Sequence, residues 1–380
     1  MKIHRQAVVY FLIFSVVGFS ARAQGKLVRF AQKVLNDTSS AATSKLLVFP
    51  TAGFAPETSL ELGVRAFSLF YAKRDTVVNR LSEIVLYSFV TLKGQFGVLL
   101  ENAAYTNKNT YFFLGRARYQ QFPLLYYGIG PNTPSVNPAL VNSSYFQIRQ
   151  RILRKVIRNW YAGAEADFQT IQRVSFEFDE QHPPGYRLPL GGEGSTTVGL
   201  GAAVVYDDRK NVLNVRKGHF LETGLLWYRP GFGSDFSYQS VVLDGRLYRP
   251  LGQPNRVLAL QLAGTFMTGA IPFNNLGLLG GESLMRGYYL GRYRDKSVLA
   301  GQAELRWLPF GFSKRWGGTL FAGLGSVAPA VRDFQLNQVR WAAGGGVRFL
   351  FFQKKDVFLR ADLGVTREGT GFYVSLGEAF

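Results

Sequence analysis

The stretch Val357-Phe358-Leu359-Arg360-Ala361-Asp362-Leu363-Gly364-Val365-Thr366 places an apolar residue at every odd position. Side chains of a strand point alternately to its two faces. Val357, Leu359, Ala361, Leu363 and Val365 therefore make one apolar face, and Phe358, Arg360, Asp362, Gly364 and Thr366 make the other. About ten residues of this kind are what a tilted strand needs to cross a bilayer with one face in lipid and one in a wet lumen. The same division occurs in 160–169, where Glu165 and Asp167 oppose Trp160, Ala164 and Phe168, and in 339–349, where Arg340 and Arg348 oppose Trp341 and Val347. Charges keep to one face throughout. A soluble sandwich also alternates, but its apolar face meets a second sheet and its strands are shorter.

Counting such segments outward from this one predicts an all-β chain, a transmembrane antiparallel β-barrel of about sixteen strands over residues 46–380. The expected strands include 145–154, 159–171 and 371–380. An even count puts both ends of the barrel on the periplasmic side, with short turns there and long loops outside. The long connections, 121–144, 172–195 and 269–297, follow the fifth, seventh and eleventh expected strands, which is the extracellular side. Residues 208–218 are the misfit, a long stretch where a short turn is expected.

The start of the chain bears on export. Lys2, His4 and Arg5 precede an apolar run from Ala7 to Phe19, and Ala21-Arg22-Ala23 follows it. This tripartite pattern predicts a cleaved signal peptide over 1–23. The run is too short for a membrane helix, which needs about 20 residues. Residues 24–45 then form a periplasmic linker too small to bury a core of its own. Loss of Lys2, Arg5 and Arg22 lowers the formal charge from +19 to +16. So basic a chain first suggests nucleic acid, but an exported protein does not meet it, and the arginines are assigned to a wet lumen and its rims. Aromatic residues at 15% suit interfacial girdles, and the absence of cysteine excludes disulfides and thiol chemistry.

Three stretches resemble the BamA/TamA and two-partner-secretion superfamily of outer-membrane barrels, also called the bacterial surface antigen family. Gly280-Gly281-Glu282-Ser283-Leu284-Met285-Arg286-Gly287-Tyr288 is similar to the Arg-Gly-Tyr or Arg-Gly-Phe signature of that family's sixth extracellular loop. Asp207, Arg209 and Gly218 resemble its Arg-containing turn, with Val215 where proline is usual. The third stretch is the C-terminal strand pair, in which Phe372, Val374, Leu376 and the terminal Phe380 are expected to share one face and serve as the signal read by the barrel-assembly machinery.

The resemblance implies an inward-folded extracellular loop in which Gly280, Gly281, Leu284, Arg286, Gly287 and Tyr288 lie in the lumen. It further implies that Arg286 is held by acids on the following strands. Glu304 matches the first acid, and Gly323 stands where the second is expected. The function implied is insertion or translocation of proteins at the bacterial outer membrane, by a barrel without the family's periplasmic repeats. The alternative is a transport pore or structural barrel without a client. Expected partners are outer-membrane lipid, the assembly machinery and an unidentified client or periplasmic protein.

No catalytic site is expected. After export only His182 and His219 remain, neither near a nucleophile or at metal-ligand spacing, so no catalytic residue, metal or cofactor is assigned. Gly191-Gly192-Glu193-Gly194-Ser195 lacks the Lys-Ser/Thr ending of a phosphate loop.

Overall fold

The computed structural model describes residues 45–179, 186–209, 214–353 and 356–380. The expected signal peptide, the linker up to residue 44 and His182 lie outside them. The chain forms, in order, β1 (Lys45–Ala55), β2 (Ser59–Tyr71), β3 (Leu81–Thr91), β4 (Phe96–Tyr105), β5 (Tyr111–Gln121), β6 (Leu124–Tyr126), β7 (Ala139–Ile157), β8 (Trp160–Glu177), β9 (Ser195–Asp207) and β10 (Gly218–Tyr228). There follow β11 (Tyr238–Leu251), β12 (Gln253–Gly269), β13 (Gly277–Leu279), β14 (Tyr293–Asp295), β15 (Ser297–Trp307), β16 (Trp316–Ala328), β17 (Arg340–Phe352), β18 (Val357–Thr366) and β19 (Gly369–Leu376). Sixteen of these form one closed antiparallel barrel. The others are β6, which extends the wall beside β7, and the β13–β14 hairpin inside the loop between β12 and β15.

Alternation decides which way each strand faces. On β18, Phe358, Arg360, Asp362 and Thr366 are buried in the interior, while Leu363 and Val365 are exposed on the outer surface, where lipid covers them. On β8, Tyr161, Glu165 and Asp167 turn inward and Trp160 and Phe168 outward. Short turns gather at the end that carries Lys45 and Phe380, and long loops at the other, as in bacterial outer-membrane barrels. The 208–218 connection lies at the short-turn end. Val215 packs there with Tyr248, Val257, Ala259 and Phe380, closing part of the lower lumen.

Three expected strands are corrected. β7 and β8 have 19 and 18 residues, far beyond the expected 145–154 and 159–171. Above the bilayer no lipid enforces alternation, and Asn142, Ser143 and Ser144 blur the pattern although pairing continues to Leu140↔Glu177. Their raised ends enclose Tyr126, Val141, Ile171 and Phe273, a cluster that anchors the beginning of the long loop. The last strand is shorter than the expected 371–380. It ends at Leu376, because Gly377 adopts φ 92°, a conformation few other residues tolerate. Phe372 points to lipid on the strand, but Phe380 leaves that face and is buried inside the lower lumen. The four residues therefore do not share one face.

Candidate functional site

The loop from Ala270 to Lys296 dips into the barrel, and its tip carries Arg286. A guanidinium inside a narrow protein space is costly unless ionised acceptors surround it. Arg286 Nη2 donates to Glu304 Oε1 on β15, and Nη1 donates to Asp362 Oδ2 on β18 at 2.5 Å. All three side chains have no exposure. The face of the guanidinium lies 3.7 Å from the Phe321 ring centroid, so a cation–π contact covers the side that hydrogen bonds leave open.

The clamp extends as a network. Arg306 Nε donates to Glu304 Oε2 at 2.7 Å and its Nη2 to the Phe380 carbonyl at 3.1 Å. Arg348 bridges Asp362 Oδ1 at 2.5 Å and Glu378 Oε2 at 2.9 Å. Arg360 joins Asp362 Oδ2 at 3.2 Å to the loop's own Glu282 Oε2 at 3.1 Å. Carboxylates therefore alternate with guanidiniums from the loop tip down to the C-terminal tail. Each carboxylate accepts from at least one neighbour, which is the condition under which buried charge is tolerable.

Close backbone approach makes this geometry possible. Gly287 has φ 110°, and a Cβ on it would stand 2.6 Å from Thr366 Cγ2. Its N–H donates to the Tyr373 hydroxyl at 3.0 Å, and that hydroxyl donates to the Tyr288 carbonyl. Met285, Tyr288 and Leu279 are buried together, with Leu284 against them. Gly280 and Gly281 both have positive φ, and the Gly281 N–H donates to the Tyr288 carbonyl at 3.0 Å, closing the tip on itself. Further along, Leu290 N–H donates to Glu57 Oε1 in the β1–β2 turn, and Arg292 donates to Glu368 and Thr133.

The structure thus brings Arg286 to Glu304 and assigns the second acid to Asp362, not to the 320–325 stretch. Gly323 instead faces Met285: its Cβ position lies 3.0 Å from Met285 Sδ. Asp362, Glu378, Arg306, Arg348, Arg360 and Tyr373 were missed by sequence reasoning. Arg360 and Asp362 did carry a signal, two opposite charges on the inward face of a membrane strand. At the other end, Asp207 is buried and pairs with Arg209 Nε at 3.0 Å and Arg80 Nη2 at 3.1 Å, while Arg209 lies over Phe220. Gly218, at φ 123°, passes 2.7 Å from Asp208 Oδ1 at its Cβ position. Among the described residues this turn is a cluster separate from the loop.

One more feature concerns the seam. β1 meets β2 over the whole span Lys45↔Leu69 to Ala55↔Ser59, yet β1 meets β19 at a single register pair, Phe54↔Val374. Phe54 and Phe372 touch with ring centroids 5.8 Å apart.

The Omp85 superfamily domain matches residues 141–380. The chain belongs to the Omp85 superfamily. Among solved structures, this Omp85 barrel is similar to BamA from Haemophilus ducreyi lacking POTRA domains 1-3, at 14% identity and a TM-score of 0.56 over 88% of this chain and 70% of the other. It is similar to CdiB from Acinetobacter baumannii, at 11% identity and 0.52 over 87% and 65%. CdiB from Escherichia coli gives 11% and 0.55 over 87% and 63%. These likenesses are of fold. No curated protein matches. A barrel of this family lies in the bacterial outer membrane.

Proposed function

We propose that this Omp85 barrel inserts or translocates other proteins at the outer membrane, with the loop bearing Arg286 bracing the lumen and the β1–β19 seam serving as the opening. The observation that carries the reading is the contrast between the seam and its neighbours. One register pair joins β1 to β19, whereas β18 and β19 pair from Leu359↔Leu376 to Thr366↔Gly369. An unpaired strand edge offers its backbone donors and acceptors to an incoming strand. The clamp on Arg286 keeps β15, β18 and the tail in place while the seam parts. Export by the signal peptide of 1–23 and a linker over 24–45 belong to the same reading, as do Asp207, Arg209 and Gly218 as a lower cap and the C-terminal strand as the assembly signal. A client and a periplasmic partner complete it.

The chain has no cysteine, so an engineered pair is unique. Cells carrying Phe54→Cys with Val374→Cys, oxidised to lock the seam, should accumulate unassembled or untranslocated outer-membrane proteins, and a reductant should restore them. An unchanged surface proteome with the seam locked, together with steady anion-favouring conductance of the purified barrel in planar bilayers, would replace this reading by a transport pore.

A further inference from the structure

The long loop carries three buried arginines, and they are not treated alike. Arg286 has two carboxylates, and Arg292 has Glu368 and Thr133. Arg294 has none. It is 6% exposed, its side chain makes one long hydrogen bond, to the Gly291 carbonyl at 3.4 Å, and its Nε is buried without a partner. Its guanidinium lies 4.8 Å from the Tyr126 ring centroid. Such a contact compensates only a fraction of what burying a lone charge costs. Burial pulls the Arg294 pKa down to about 10, still far above neutrality, so the group is a cation lacking a counter-ion among the described residues.

Arg294 lines a cavity of about 250 Å³ in the upper lumen, and Arg118 of β5 lines the same cavity. Arg118 likewise has no carboxylate partner among the described residues. Its Nη2 donates to the Tyr145 hydroxyl at 3.3 Å, and its Nε is buried without a partner. The remaining wall is largely apolar and aromatic, with Phe122, Tyr126, Tyr145 and Phe273. Two unpaired guanidiniums attract one oxyanion, and rings around them cover an apolar body. The volume lies a little below that of pockets for drug-sized ligands, about 300–1,000 Å³, so the occupant is small.

We infer that the cavity between Arg118 and Arg294 is a binding site for a small organic anion, an oxyanion carried on an aromatic or similarly flat apolar group. The oxyanion takes the guanidinium donors and the apolar part lies against the rings. Because Arg294 belongs to the same loop as Arg286, occupancy ties the upper arm of the loop to the β5 wall. The site is independent of whether the barrel handles client proteins.

The test is calorimetric titration of the full-length barrel in detergent micelles with phenylacetate, its neutral counterpart phenylacetamide, and inorganic phosphate. Phenylacetate is expected to bind saturably at one site and phenylacetamide much more weakly. Arg294→Gln and Arg118→Gln should each weaken phenylacetate about tenfold or more, the loss that follows from removing one charge-assisted pair. Folding of each variant is checked by its heat-modifiable migration, and if one does not fold, the other variant and the phenylacetamide comparison still decide. Equal binding of the acid and the amide, variants that bind like the parent, or no saturable binding overturns the site. Phosphate binding as tightly as phenylacetate overturns the aromatic part of the assignment.

Discussion

Two of the charge networks in this lumen hold different things. In the first, Arg286 on a loop reaches Glu304 on β15 and Asp362 on β18, 18 and 76 residues away in the chain. In the second, Glu165 on β8 accepts from Arg149 Nε at 2.6 Å and is ion-paired with Arg151 at 2.9 Å, both on β7, and Arg151 is also ion-paired with Glu222 on β10 at 2.7 Å. Arg151 and Glu165 are direct cross-strand neighbours, so the backbone ladder already places them. The pairs of Arg149 and Arg151 with Glu165 therefore duplicate a constraint that the sheet supplies, and only Arg151 with Glu222 reaches beyond it. The loop network supplies one that the sheet does not, since no backbone ladder links Arg286 to the wall. Charges that join non-adjacent elements therefore specify architecture, while charges between paired strands chiefly satisfy one another.

Substitutions can break or sharpen this contrast. Arg286→Ala carries the largest expected effect: it leaves Glu304 and Asp362 buried without their shared cation, a loss of about 3–5 kcal/mol for breaking a buried pair. External protease should then cut within 280–295 while the barrel still migrates as folded. A loop that stays protected would show that its apolar contacts suffice. Glu165→Ala should cost less, about 1–3 kcal/mol, because Arg151 keeps Glu222 and the strands keep their ladder. Urea unfolding in lipid vesicles should register this without new loop cleavage, and cleavage as rapid as in the Arg286 variant would erase the distinction.

Gly323→Ala probes whether the loop tip is fitted to the wall. The added Cβ meets Met285 Sδ at 3.0 Å, tighter than ordinary contact, so a loss of about 1 kcal/mol is expected from overpacking, read as a lowered urea midpoint. The smallest change is predicted for Glu57→Gln. Burial raises the Glu57 carboxyl pKa against the opposing pull of the Glu57 and Leu290 backbone amides. An amide oxygen can still accept from Leu290 N–H without a buried charge, so the urea midpoint should move by no more than about 0.5 kcal/mol at neutral pH. A raised carboxyl pKa means the folded state binds the proton more tightly, so this group favours folding at low pH and less as pH rises through its folded value. The glutamine variant should flatten that slope.

Legibility in the sequence followed the length scale of the physics. Strand faces were readable because period-two alternation is local and lipid enforces it: Glu165, Asp167, Arg348 and Arg360 all point inward, as their positions require. Where lipid stops, at Asn142 to Ser144, the pattern stopped informing. Glu304 was placed beside Arg286 by resemblance alone, and Asp362 was overlooked. Its pairing depends on how far β18 lies around the barrel from the loop tip, a distance that no window of residues contains.

The sequence by itself determined the barrel, the inward face of each strand, the position of the long loop and the family signature at Arg286, because alternation, turn residues and a short motif are encoded within a few residues of one another. Only the tertiary structure decided that Asp362 is the second acid, that Gly377 turns Phe380 into the lumen, that the seam rests on Phe54↔Val374, and that Arg294 and Arg118 share a cavity whose described lining holds no carboxylate. The reason is closure. When the sheet curls into a ring, strands distant in the chain face one another across the lumen, and the partner of a buried charge is then set by the circumference and tilt of the wall.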